Sequence, residues 1–285
     1  MNHAEVLCRQ VMHYRRHLQQ KPNNMTNPLN LNLIFFTSTK GHFGHKDIYK
    51  HTLNDLATKI DPKLLDKKVA HIKISPGEED LAVEMRAFLY QWGFNEVLST
   101  VADWSHNANH GEEYTKDITK TLDFLSTYGA AEYTLWMEDD YVFQYKNSLF
   151  KLKDPFQMAI NSLKDDLGNM VVRFNLDKPS PNAIEKVNCC VNRQKENYTQ
   201  WGPTVTFQPT IYRTKDLWWA YCIFIKNNWE KLKNVHIELR SGYSLFPLTN
   251  KKEPFLEFDY DIARSVHIGV KNYKEILDRL TKPQS

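Results

Sequence analysis

Three consecutive carboxylates, Glu138, Asp139 and Asp140, follow the apolar run YTLWM with no turn residue between. Crowded carboxylates repel one another, and burying them is costly unless a cation or a proton relieves the charge. The triplet has two readings: a hydrated corner where a strand meets a loop, or a site for a divalent cation. Hard oxygen donors of this kind suit Mg²⁺ or Mn²⁺. Other reactive side chains are more scattered. His42, His45, His106 and His110 lack the cysteine partners that zinc sites usually add, and they read as loop histidines that could edge a pocket. Cys8, Cys189, Cys190 and Cys222 show no metal spacing, and the adjacent pair makes a poor disulfide framework. Reduced thiols in a cytoplasmic protein are the expectation. The sequons at Asn24 and Asn197 then carry little weight. No P-loop, G-x-G-x-x-G, H-E-x-x-H or G-x-S-x-G is present.

Whether the triplet can do chemistry depends on the elements that position it. The chain opens with an amphipathic pattern (Leu7, Val11, Tyr14, Leu18) that ends in a polar, proline- and asparagine-rich connection. LNLIFF is a short continuous apolar run, the mark of a buried strand, and it stops at TSTKGHFGH. A helix is predicted on Tyr49, Leu53, Leu56 and Ile60, a strand on VAHIKI, and a second helix on Leu81, Met85, Phe88, Leu89 and Trp92. Glu78, Glu79 and Asp80 open that second helix, where negative charge suits the helix dipole. NEVLSTVADW supplies a third strand, Tyr114, Ile118, Leu122 and Leu125 a third helix, and YTLWM a fourth strand. Alternation of this kind specifies an α/β fold with a parallel sheet covered on both faces. Right-handed crossovers bring the carboxyl ends of such strands to one edge, and ligands bind there. That edge selects Thr37, Ser38 and Thr39 after strand one, Asp103 after strand three, and Glu138 to Asp140 after strand four.

Beyond Asp140 the alternation loosens. A helix is expected on Phe156, Ile160, Leu163 and Leu167, strands on NMVVRFNL and VTFQPTIYR, and an aromatic helix on LWWAYCIFIKNNWEKL. Trp218 and Trp219 belong to the apolar stripe of that helix and read as core.

Glu138-Asp139-Asp140 after the fourth strand resembles the DxD motif of GT-A glycosyltransferases, of the family-2-like kind. The resemblance implies a GT-A-like, Rossmann-type, mostly parallel sheet flanked by helices, with a mixed C-terminal acceptor half. By resemblance Asp140 binds the metal that holds the donor diphosphate, Glu138 lies near the donor ribose, and Asp139 has no fixed role among the donor contacts. Thr37, Ser38 and Thr39 would contact the nucleoside, against the plainer reading of a polar turn. Asp103 would touch the base or ribose, against that of a turn-forming aspartate. FDYDIAR is similar to the segment where inverting members carry an acid at the start of a helix beside the acceptor. Asp259 fits the general base there, with Glu257 and Asp261 as substitutes. Three exposed acids favoured by a helix start are the other reading. His267 in VHIGV matches a late histidine that completes the metal shell. Trp201 and Gly202, in TQWGP, would form a sugar-stacking platform for the acceptor. Residues 1–30 then form an N-terminal helix and linker. Residues 31–285 form one catalytic domain, divided into a nucleotide-sugar-binding half (31–145) and an acceptor half (146–285).

The expected function is transfer of a sugar from a nucleotide-diphosphate-sugar donor, a UDP-sugar by family, to the hydroxyl of a glycan or glycosylated acceptor. Mn²⁺ or Mg²⁺ is the implied cofactor, and the expected chemistry inverts the anomeric centre. A sugar nucleotidyltransferase is the alternative, although TSTKGHFGHKD lacks the glycine-rich phosphate loop with arginine. A carbohydrate-binding protein with a degenerate transferase fold is the non-enzymatic alternative. A glycoside hydrolase would use paired carboxylates without metal or nucleotide. With 37 basic and 34 acidic residues, charge gives no nucleic-acid footprint. No apolar stretch reaches the length of a signal peptide or a membrane span. Aromatics make 13% of the chain, enough to supply both a core and stacking platforms for sugars.

Overall fold

A computed structural model describes residues 29–41, 45–101, 112–143, 155–165, 171–174, 209–232, 255–257 and 263–265. The predicted N-terminal helix lies outside them, as do His42, Asp103, His106, His110, Trp201, Gly202, Asp259 and His267.

The four apolar runs form strands β1 (Leu31–Ser38), β2 (Lys68–Ile74), β3 (Glu96–Val101) and β4 (Tyr133–Glu138). All the pairings among them are parallel, in the order β3-β2-β1-β4. The connections carry helices α1 (Ile48–Ala57), α2 (Glu79–Trp92) and α3 (Glu112–Thr127). A short ribbon strand, β5 (Tyr141–Phe143), follows the acidic triplet, and α4 (Pro155–Asp165) comes after it. Three more strands extend the sheet: β6 (Val171–Arg173), β7 (Thr210–Arg213) and β8 (Phe255–Glu257). The full order is β3-β2-β1-β4-β7-β6-β8, and β7 alone runs against the other six. This is the mostly parallel, helix-flanked sheet that the GT-A resemblance implies.

β1 is buried along nearly its whole length, because both faces of the sheet are covered. Leu31, Leu33 and Phe35 point to one face, with Ala70, Ile72, Leu135 and Met137. The apolar stripes of α1, α2 and α4 cover that face through Tyr49, Leu53, Leu56, Met85, Leu89 and Ile160. Ile34, Phe36, Val69 and Trp136 point to the other, against Ile118, Leu122 and Leu125 of α3. α2 stops where Gly93 takes a left-handed φ of 101°, with Phe94 N–H donating to the Leu89 carbonyl. At the amino end of the sheet the buried Asn32 side chain donates to the carbonyls of Ala131 (2.9 Å) and Tyr133 (3.1 Å). Its oxygen accepts from the Ala131 amide, so one polar side chain inside an apolar run locks β1 to the start of β4.

Two expectations change in the second half. The aromatic helix is not continuous: α5 (Thr214–Trp218) leads into π-helical turns at Trp219–Ile225, and α6 (Trp229–Leu232) follows. Trp219, Ala220, Tyr221 and Cys222 are four consecutive buried residues, a face too wide for an α-helical stripe. Trp219 is core, as expected, while Trp218 lies partly buried with its indole N–H donating to Asp123. The acid-rich FDYDIAR segment does not lead into a helix either. Ala263–Ser265 form strand β9, paired antiparallel with β5, and Glu257 is the last residue of β8. Backbone pairing with distant strands overrides the local helix-start signal there. Among the described residues no helix is long and apolar enough to cross a membrane.

Candidate functional site

Parallel pairing of β1 with β4 sets Phe36 beside Glu138, so the ends of both strands open at the same edge. The acidic triplet turns the chain there, from β4 into β5. Asp139 and Asp140 are each 2% exposed, whereas Glu138 is partly open to solvent. Two adjacent buried carboxylates repel, and a hydrated corner would not bury them.

Two neighbouring elements, β1 and α1, fix the corner through three hydrogen bonds. The Thr37 hydroxyl at the end of β1 donates to the Asp139 carboxylate at 2.6 Å. From α1, the Thr52 hydroxyl donates to the Asp139 backbone carbonyl. One turn further along α1, the Asp55 carboxylate accepts the Phe143 amide at 2.7 Å and anchors β5. Asp139 is thus held inward by Thr37. Glu138 and Asp140 are the other two carboxylates of the turn. The ribbon adds a third element, with Ser265 of β9 set opposite Tyr141, the residue after Asp140.

Thr52 and Asp55 were not among the candidates drawn from sequence. The signal for Thr52 was present: it falls on the buried stripe of α1 between Tyr49 and Leu56, a polar residue at an apolar position. Thr37, Ser38 and Thr39 reach the predicted edge but differ in accessibility. Thr37 is 6% exposed and its hydroxyl is engaged with Asp139. Thr39 is fully buried, its hydroxyl oxygen accepting the Ser75 amide at 2.8 Å. Ser38 is the one of the three with a partly open side chain. His45 is exposed in the loop after β1, and Glu257 sits in β8, three strands from β4.

Hard carboxylate oxygens at the corner match a divalent cation such as Mn²⁺ or Mg²⁺ in chemistry. Among the described residues no group of three or more His, Cys, Asp or Glu side chains gathers as a complete metal shell. A cation there would take Asp140 and further ligands from substrate, water or residues outside the described set.

On the face shared by Phe36 and Trp136, the His71 ring stacks on Phe36 at 5.0 Å and bonds the Thr121 hydroxyl of α3 at 2.5 Å. Burial holds the His71 imidazole down at about 4, so the ring is neutral. Beyond β2, hydrogen bonds from Lys46 and then Thr39 keep the Glu78 carboxyl below its ordinary range.

No protein-family model matches the chain, and no curated protein matches it by sequence. Solved structures with similar chain paths include a mannosyltransferase, PcManGT from Pyrobaculum calidifontis, in complex with GDP-Man and Mn²⁺. It is 12% identical, over 96% of this chain and 70% of that one, with a TM-score of 0.42. GalNAc-T7 with UDP, GalNAc and Mn²⁺ is 8% identical, over 84% of this chain and 43% of that one, with a TM-score of 0.45. The 4-diphosphocytidyl-2C-methyl-D-erythritol synthase of Anaerococcus prevotii is 13% identical, over 81% of this chain and 90% of that one, with a TM-score of 0.43. All three are loose likenesses of chain path, and they assign no activity to this chain.

Proposed function

We propose that the chain is a metal-dependent glycosyltransferase of the GT-A type, moving a sugar from a nucleotide-diphosphate-sugar donor to an acceptor hydroxyl. One observation carries the reading: two adjacent carboxylates, each 2% exposed, are held at the carboxyl end of β4 beside β1. A parallel sheet takes its ligands at that edge, and hard carboxylate oxygens suit a divalent cation.

Asp140 holds the cation in this reading, and Glu138, partly open, faces the donor ribose. Ser38 and the backbone around it meet the nucleoside, with Asp103 at the base or ribose. Asp139 is a positioning residue, tied to Thr37. His267 joins Asp140 on the cation: it follows Ser265 by two residues, and two residues span at most about 7 Å. Asp259 takes the proton from the acceptor hydroxyl as that oxygen attacks the anomeric carbon. The bond to the diphosphate breaks, and the nucleoside diphosphate leaves with the electron pair. The anomeric configuration inverts in this single displacement. When bound, the cation supplies charge neutralisation for the leaving diphosphate. Trp201 and Gly202 form the acceptor platform, and a UDP-sugar is the first donor to try.

Thermal shift across nucleoside diphosphates with and without Mn²⁺ tests the reading. Stabilisation that needs both components is expected, since only a ligand that binds the folded state raises its stability. Hydrolysis of donor sugars without acceptor gives the matching activity. Asp140→Asn keeps the volume and removes the charge, and it lowers that hydrolysis by roughly 10²-fold or more. Near-normal, metal-dependent turnover in a folded Asp140→Asn protein removes the assignment.

A further inference from the structure

Helix α1 meets the acidic corner through two polar side chains. Ile48, Tyr49, Leu53 and Leu56 of the same helix are buried and fix it against the sheet. Thr52 and Asp55 are three residues apart, so they lie on one side of α1. The Thr52 hydroxyl donates to the Asp139 carbonyl, and the Asp55 carboxylate accepts the Phe143 amide at 2.7 Å. Asp140 lies between the two contacts, one residue after the first and three before the second. A single packed helix therefore holds both ends of the turn that carries the proposed cation ligand.

The Asp55 carboxylate is itself held in one orientation. Its Oδ2 takes the Phe143 amide, while the Lys59 ammonium stands 3.7 Å from Oδ1. The Asp55 and Lys59 side chains are 12% and 8% exposed, so the pair is largely shielded from water. Lysine balances the charge on one oxygen, and the other oxygen makes a charge-assisted bond to the backbone. Both oxygens are thus engaged within the protein, which favours holding the turn over ligating a cation.

The ribbon has support of another kind. The Phe143 ring packs on Phe156 at 5.7 Å and on Phe174 at 6.3 Å, and β9 pairs along β5. Apolar packing keeps β5 on the protein but is non-directional. Hydrogen bonds to the Asp139 carbonyl and the Phe143 amide are directional, and they set where the backbone between them runs. Loss of either bond should leave the fold in place and loosen the turn.

We infer that Thr52 and Asp55 are positioning residues for the cation site, holding Asp140 in place from both ends of its turn. The inference rests on the cation reading of Asp140 and names the residues that set where that ligand stands. Mn²⁺ titrations followed by electron paramagnetic resonance, alone and with UDP or GDP present, test it on the whole chain. Apparent affinity scales with the fraction of molecules in the binding-competent arrangement. Asp55→Ala and Thr52→Val should each weaken Mn²⁺ binding roughly three- to tenfold, less than a full charge-assisted bond because the other anchor still acts. Asp55→Asn keeps an oxygen for the Phe143 amide and removes the negative charge. It should bind Mn²⁺ within about twofold of wild type, the scatter expected of independent sites. Urea unfolding reports stability separately, and Thr52→Val carries the test where Asp55→Ala folds poorly. Wild-type Mn²⁺ affinity in either folded variant overturns the inference and leaves the cation reading standing. Asp55→Asn as weak as Asp55→Ala also overturns it, since charge would then be acting and the amide bond would not. A wild-type chain that binds no Mn²⁺ under any of these conditions removes the cation reading, and the inference with it.

Discussion

Replacing Thr37 with valine keeps the shape of the side chain and removes a hydroxyl that donates to the Asp139 carboxylate. The bond is 2.6 Å long, and its partners are 6% and 2% exposed, so water cannot take the lost place without opening the corner. A buried hydrogen bond to a charged group contributes about 1.5–3 kcal/mol, and its loss leaves a carboxylate oxygen desolvated. The new methyl group meets the apolar surroundings of β1, which offsets a little of the loss. The expected cost is about 2 kcal/mol. In a chain of this size that lowers Tm by roughly 4–8 °C. Urea unfolding of wild type, Thr37→Val, Asp139→Ala and the double variant isolates the pair. The coupling energy should be at least about 1 kcal/mol, because the two groups touch directly. Thr37→Ser, which keeps the hydroxyl, should lose only about 1 kcal/mol for its methyl group. A coupling below about 0.5 kcal/mol would refute the reasoning, since that is the level at which distant, independent sites add.

Other consequences are open to direct measurement. The unfolded chain holds His71 near 6.5 and the fold holds it at about 4, so the unfolded state binds the extra proton between those values. Stability should fall as pH drops from about 6.5 to about 4, by about 3 kcal/mol in all, and His71→Gln should flatten that part of the profile in denaturant titrations. Asp55→Ala frees the Phe143 amide from its 2.7 Å acceptor, and hydrogen exchange at Phe143 should quicken roughly tenfold or more while β1 and β2 stay protected. Gly41→Ala forces a left-handed φ and a clash with the His45 carbonyl, so it should cost on the order of 1–3 kcal/mol by thermal melt. Burial pushes the Cys222 thiol well above its ordinary range, and thiol reagents should label it only as fast as the chain opens.

The first half of the fold was legible because its elements carry local signals. β1 to β4 are continuous apolar runs, and α1 to α3 show the 3.6-residue stripe that their buried residues follow. The second half was less so. β6 to β9 are three or four residues long, too short for a period, and the opposed direction of β7 is set by pairing with β4. FDYDIAR has the composition of a helix start, yet residues 263–265 pair with β5, more than a hundred residues earlier in the chain. At the corner, Glu138 to Asp140 stood out by crowding alone. The Thr37 bond to Asp139 joins positions 102 residues apart, and no local pattern announces it.

The β5–β9 ribbon gives the corner an order of assembly. β5 comes directly after the acidic turn, but its partner lies about 120 residues further on, and closing a loop of that length costs about 4 kcal/mol of chain entropy. Three residues on each side return few backbone bonds for that cost. β1 to β4, with their shorter crossovers, can settle first, and the ribbon closes over an edge that already exists. Opening follows the reverse route: the ribbon parts while the parallel sheet keeps its register. The acidic corner is then a separately melting unit, and a ligand bound there should slow exchange at Tyr141 to Phe143 and Ala263 to Ser265 more than at Leu33 to Phe35.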